Sequence, residues 1–237
     1  MSTMSSEEGT PLKNIQLFFY SAINFPLAVV GLPLVLFIPP LYGELVVSLS
    51  SMGVILMLAR LSDVFTDPLI GLLSDKTKGR LGRRKPWIVL GAPLLAVSTY
   101  FLFMPPERPE LMYFLLSIMG IYLAFTIMQI PYASWGAELS GDYSERSKIT
   151  ALREQIGYFG TIVALSIPLF LSYFGVIEMR SILSYEAILV MLSIPLVVLG
   201  AFWLVPDDPS SLFREQTMTL KEYVCLLNTS PSPRDRG

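Results

Sequence analysis

The stretch Asp63–Trp87, DVFTDPLIGLLSDKTKGRLGRRKPW, decides how the chain is read. It opens on two aspartates four residues apart among apolar neighbours and ends in a basic run, Lys76–Lys85. Arg60 stands three residues before Asp63, inside the same apolar stretch. Spacings of three and four put Arg60, Asp63 and Asp67 on one helical face, where Arg60 can pair with Asp63 and the two acids can converge. A charged side chain at the bilayer centre costs about 2.5–3.5 kcal/mol on insertion scales. Three such groups in one span call for a partner or a purpose. Two close carboxylates resist joint ionisation without a cation. Oxygen ligands suit a hard ion such as Na⁺, and carboxyls also carry protons. Asp63 and Asp67 therefore read as a coupling-cation site for Na⁺ or H⁺. The plainer alternative is a structural ion-pair cluster.

Working outward, the rest of the chain is as greasy as this helix. Hydrophobic residues make up 53% and charged residues 15%, against about 25% charge in a soluble domain. A bilayer core of ~30 Å takes about 20 apolar residues per helix. Six stretches qualify: Ile15–Ile38, Leu45–Leu72, Trp87–Met104, Leu111–Ile130, Glu154–Phe174 and Leu183–Val205. Pro39-Pro40, the basic run, Pro105-Pro106, Glu138–Lys148 and Glu178–Arg180 separate them. The predicted class is an all-α, six-span bundle over residues 15–205. It has a cytoplasmic N-terminus (1–14), a cytoplasmic linker (206–227) and a tail (228–237) that reads as non-native. Lys76, Lys78, Arg80, Arg83, Arg84, Lys85, Arg146, Lys148 and Arg153 fall on one side, and only Arg108 and Arg180 on the other. The positive-inside rule makes the first side cytoplasmic, with both termini inside. Pro26 and Pro33 each remove a backbone donor from the first span and kink it.

Several functions drop out. With no histidine, Ser-His-Asp catalysis and HExxH zinc sites are absent. The single Cys225 allows no internal disulfide. No basic face with interleaved aromatics supports nucleic-acid binding. Ala59-Arg60 and Gly71 through Asp75 imitate part of a lipid-alcohol phosphotransferase motif. Val54–Leu58 is apolar, however, and Gly79 stands where the last acid belongs, so no Mg²⁺ clamp forms. Intramembrane aspartyl proteolysis fails because the two acids share one helix.

The pattern D-x3-D-P-x2-G-x3-D followed by R-x-G-R-x-K-P-W resembles the signature of the glycoside-pentoside-hexuronide:cation symporters, a branch of the major facilitator superfamily. Thr126-Ile-Met-Gln-Ile-Pro-Tyr132 is similar to that family's fourth-span motif. The resemblance implies that this chain is the N-terminal six-helix half of a six-plus-six transporter whose other half is missing here. It implies a cation site of Asp63, Asp67 and Thr126, with Thr66 as a further ligand, and Arg153 near substrate. Gln129, Asn24 and Tyr132 complete the candidate substrate contacts. Asp75, Arg83 and Arg84 are the candidate gate at the cytoplasmic loop. Gln129 replaces the fourth-span acid, Ala133 the next-turn tryptophan, and Pro26-Leu27 the first-span acid of the sugar-binding pattern. The expected role is symport of a sugar or other small polar solute, with lysolipid or another amphiphile as the alternative. No catalysis and no cofactor beyond the ion is expected. The expected setting is the inner membrane of a bacterium, in contact with lipid.

Overall fold

A computed structural model describes residues 12–45, 49–77 and 81–205. The first eleven residues, Lys78, Arg80, the linker 206–227 with Cys225, and the tail 228–237 lie outside the described residues. Those described form helices α1 (Asn14–Ala22), α2 (Asn24–Leu36), α3 (Ile38–Leu45), α4 (Leu49–Lys76), α5 (Lys85–Phe103), α6 (Leu111–Glu138), α7 (Tyr143–Tyr173) and α8 (Met179–Leu204). There is no strand among them.

The expected first span is a broken helix. Its first break falls at Ile23, three residues before Pro26. A proline ring collides with the carbonyl four residues back and offers it no hydrogen, which is where α1 stops. The second break falls at Phe37, and α3 follows. Pro39 and Pro40, expected to end the span, instead sit in the first turn of α3, where a missing N–H removes no helical bond. The loop expected over Glu138–Lys148 is also shorter. Asp142 caps α7 by accepting from the Glu145 N–H at 2.8 Å, so α7 begins a turn before Arg146.

Among the described residues, five helical stretches are long and apolar enough to cross a membrane, with α1 and α2 counted together. The sixth expected span, α4, is long enough but stands outside that group. Arg60, Asp63 and Asp67 lie together in its middle and dilute the apolar run. The helix that breaks the rule is the one that carries the candidate site.

Leu27 and Val30 of α2, Leu95 and Leu102 of α5, Ile121 of α6 and Leu183 of α8 form part of the core. Small residues let the helices close on one another. An added Cβ on Gly160 would stand 2.8 Å from the Phe25 carbonyl, and one on Gly157 would stand 2.4 Å from Asn24 Nδ2. Both glycines seat α7 against α2.

Hydrogen bonds fix which ends lie together. Glu145 accepts from the Leu12 N–H at 2.7 Å, and Lys85 Nζ donates to the Val205 carbonyl at 2.7 Å. At the opposite end, Tyr42 donates to the Leu102 carbonyl at 3.0 Å and Arg180 to that of Pro105. The chain at residue 12, the basic loop and residue 205 thus share one end.

Candidate cation site and the charged cluster below it

The site lies on the seam between α4 and α6. These helices run in the same direction, because α5 returns the chain to the side from which α4 starts. Arg60 packs over the Tyr122 ring at 4.6 Å. One to two turns further along, Thr126 Oγ1 donates to Asp67 Oδ1 at 2.9 Å. Another turn on, Gly71 meets Ile130, with 4.0 Å between an added Cβ and Cγ2. The intervals keep Asp63, Thr66 and Asp67 opposite Tyr122 to Gln129 throughout.

Arg60 Nη1 is 3.7 Å from Asp63 Oδ2. The Arg60 side chain is mostly exposed, so the pair is loose and screened. The other Asp63 oxygen, Oδ1, is buried without a partner, as are Thr66 Oγ1 and Gln129 Oε1. Buried polar atoms are paired in the great majority of folded structures. Three unpartnered oxygens on one seam, beside a carboxylate held by a hydroxyl, form a set of acceptors whose nearby positive charge is the loosely paired Arg60. Among the described residues no three His, Cys, Asp or Glu side chains converge as a metal cluster. The seam carries two carboxylates, Asp63 and Asp67, with neutral oxygens from Thr66, Thr126 and Gln129.

Of the candidate substrate contacts, only Gln129 lies on this seam. Arg153 is on α7, where it bonds Glu154 Oε1 through Nη2 at 2.7 Å and Nε at 3.1 Å. Its guanidinium lies 5.9 Å from the centre of the Tyr132 ring. Tyr132 is fully buried and packs on Tyr20 with ring centres 4.8 Å apart. Tyr20 in turn donates to the Tyr132 carbonyl at 3.1 Å. Asn24, at the break between α1 and α2, donates through Nδ2 to the Arg153 carbonyl at 2.9 Å. Asn24, Tyr132 and Arg153 thus form one cluster that ties the broken first span to α6 and α7.

At the basic end, Gly82 takes a φ of +84°, a turn that favours glycine. It swings the chain back so that Arg83 and Arg84 meet the ends of α4 and α6. Arg84 is buried and donates to Glu138 Oε1 from Nη2 at 2.8 Å and Nε at 3.1 Å, and to Ser74 Oγ at 2.8 Å. It also pairs with Asp75, and Arg83 Nη2 reaches Glu138 Oε1 at 2.6 Å. All three candidate gate residues are therefore in one cluster. Glu138 is the acid at its centre, and sequence reasoning used it only as a loop marker. Its signal was available: an acid just beyond a long apolar span, on the side of the basic run.

Residues 19–228 match the profile of the MFS/sugar transport protein family. Among curated relatives, the chain is 30% identical over 123 residues to the sodium-dependent lysophosphatidylcholine symporter 1 of Mus musculus, covering 48% of this chain and 23% of that protein. It is 26% identical over 122 residues to the inner membrane symporter YicJ of Escherichia coli, covering 49% and 26%. It is 27% identical over 156 residues to the uncharacterized symporter YnaJ of Bacillus subtilis, covering 64% and 33%. The aligned stretches thus span about a quarter to a third of each relative. With a helical fold among the described residues and a family match over most of its length, the chain belongs to the MFS/sugar transport proteins, in the branch similar to the glycoside-pentoside-hexuronide symporters.

Proposed function

We propose that this chain is the N-terminal half of a cation-coupled symporter and that the α4–α6 seam binds the coupling ion, Na⁺ or H⁺. The observation that carries the reading is the Thr126 Oγ1 to Asp67 Oδ1 bond at 2.9 Å beside the unpartnered oxygens of Asp63, Thr66 and Gln129. A cation entering there neutralises two acids that otherwise make closure of an apolar interface unfavourable. Ion binding therefore favours the conformations in which the two halves of the carrier close around substrate. Rocking of the halves then carries the site to the other face. Asp75, Arg83 and Arg84, joined by Glu138, brace the basic end of this half against the missing six-helix half.

The basic end is the cytoplasmic one in this reading, with both chain ends inside, and the membrane is a bacterial inner membrane. Cargo binds between the halves, near α2, α6 and α7, where Gln129 and Arg153 offer polar contacts. Asn24 and Tyr132 hold the backbone there. A sugar or another small polar solute is the first reading. A lysolipid or similar amphiphile is the second, favoured by the name of the mouse relative and by the absence of an acid from α2. The relatives named are symporters, and the mechanism needs no catalytic group.

The test is uptake in proteoliposomes containing the full-length carrier, driven by a Na⁺ or H⁺ gradient. Asp63→Asn and Asp67→Asn are expected to abolish gradient-driven accumulation while leaving the protein folded. Accumulation at wild-type levels in both variants overturns the proposal.

A further inference from the structure

The described residues hold a further acid inside a membrane span, remote from the α4–α6 seam. Glu186 lies two turns into α8, is fully buried, and neither carboxyl oxygen has a hydrogen-bond partner. The α5–α8 register shows what stands opposite it. Arg180 bonds the Pro105 carbonyl at one end of this antiparallel pair. Six residues along from Arg180 is Glu186, and six residues back from Pro105 is Thr99. The facing side agrees. Ile88 and Val89 share a small cavity with Val198 and Ala201. Steps of four and three continue that face of α5 through Ala92 and Leu95 to Thr99, all buried. Thr99 is fully buried too, and its Oγ1 is unpartnered.

The groups that might neutralise Glu186 are all engaged or pointed elsewhere. On α5, Lys85 is held by carbonyls at the far end and Tyr100 is half exposed. On α1, Tyr20 is bonded to Tyr132. Helix α2 carries no titratable group. At this end α7 offers only Tyr173, which is exposed. On α8 itself, Arg180 is committed to Pro105, Tyr185 is half exposed, and Glu178, just before the helix, accepts from Ser181. An ionised carboxylate without a partner at this depth costs several kcal/mol, whereas a protonated one needs only a hydroxyl or carbonyl neighbour.

We propose that Glu186 and Thr99 form a proton-binding site in the α5–α8 seam, distinct from the coupling-ion site, so that seating of α8 against α5 requires a bound proton. Loss of that proton leaves a bare charge between the helices and loosens the seam. The site therefore makes this half of the carrier sensitive to pH whichever ion Asp63 and Asp67 carry.

The experiment reads the carboxyl directly, in the full-length carrier in lipid. Infrared spectra of wild type and Glu186→Gln are compared for the C=O stretch of protonated carboxyls. The expected result is the loss of one residue's worth of that band in Glu186→Gln, and its fading in wild type as pH rises. Dicyclohexylcarbodiimide, which modifies protonated carboxyls in apolar surroundings, is expected to label the Glu186 peptide and to lose that label in the variant. Thr99→Val removes the hydroxyl that accepts from the protonated carboxyl and is expected to move the titration midpoint to lower pH. An identical protonated-carboxyl band in wild type and Glu186→Gln overturns the proposal, since Glu186 is then ionised at neutral pH. An unmoved midpoint in Thr99→Val overturns the part assigned to Thr99. Neither readout depends on uptake, so failure of the coupling-site proposal leaves this result intact.

Discussion

Replacing Glu138 by glutamine should destabilise the carrier far more than replacing Asp75 by asparagine, although both acids pair with the same arginine. The Arg84 side chain is 6% exposed and that of Glu138 18%, whereas Asp75 is 54% exposed. Glu138 accepts from Arg84 twice and from Arg83 once. Removing one partner of a buried ion pair costs about 3–5 kcal/mol. Arg84 retains Asp75 and Ser74, so the loss for Glu138→Gln is about 2–3 kcal/mol by that rule. An exposed ion pair contributes ~0–1 kcal/mol, which sets the loss for Asp75→Asn. The assay is unfolding in bicelles by steric trapping, with Arg84→Gln and the Arg84→Gln/Glu138→Gln double variant completing a thermodynamic cycle. The double variant should lose less than the sum of the single losses. An Asp75→Asn loss equal to or larger than that of Glu138→Gln, or strict additivity in the cycle, refutes a cluster centred on Glu138.

Other perturbations probe the rest of the architecture. Thr126→Val keeps side-chain volume but removes a hydrogen bond to a charged group worth about 1.5–3 kcal/mol. Apparent cation affinity in uptake titrations should fall by about 10-fold or more, with Thr126→Ser close to wild type. Gly157→Val drives a side chain into Asn24 and should cut folded yield in detergent, read by size-exclusion fluorescence, whereas a change at Gly31, with no atom near an added Cβ, should not. Tyr20→Phe deletes the buried bond to the Tyr132 carbonyl and should cost about 1 kcal/mol in the same unfolding assay.

The greater part of this organisation was legible in the chain. Apolar run length marks most of the spans, because a bilayer fixes the length of apolar helix it accepts. Asp63 and Asp67 were legible because charge within such a run is costly. The link from Asp67 to Thr126 came only through a resemblance, since no local rule relates residues 59 positions apart. Glu138 was passed over because an acid at a helix end is at home in solvent. Its burial arises from an arginine delivered by a glycine turn 56 residues earlier. Glu186 escaped for a similar reason. A span begun at Leu183 leaves it near the membrane surface, while α8 begins at Met179 and carries it inward. The prolines misled in the other direction. Pro39-Pro40 looks like a stop but starts a new helix, because what proline forbids mid-helix it permits in a first turn.

Pro68 sits inside α4, one residue after Asp67. Having no amide hydrogen, it offers nothing to the main-chain oxygen four residues earlier, which belongs to Val64. That oxygen lies between the two aspartates in the chain, so the turn that joins them lacks one backbone hydrogen bond. The helix can bend there at low cost, and the two carboxylates are not tied to the spacing of an unbroken helix.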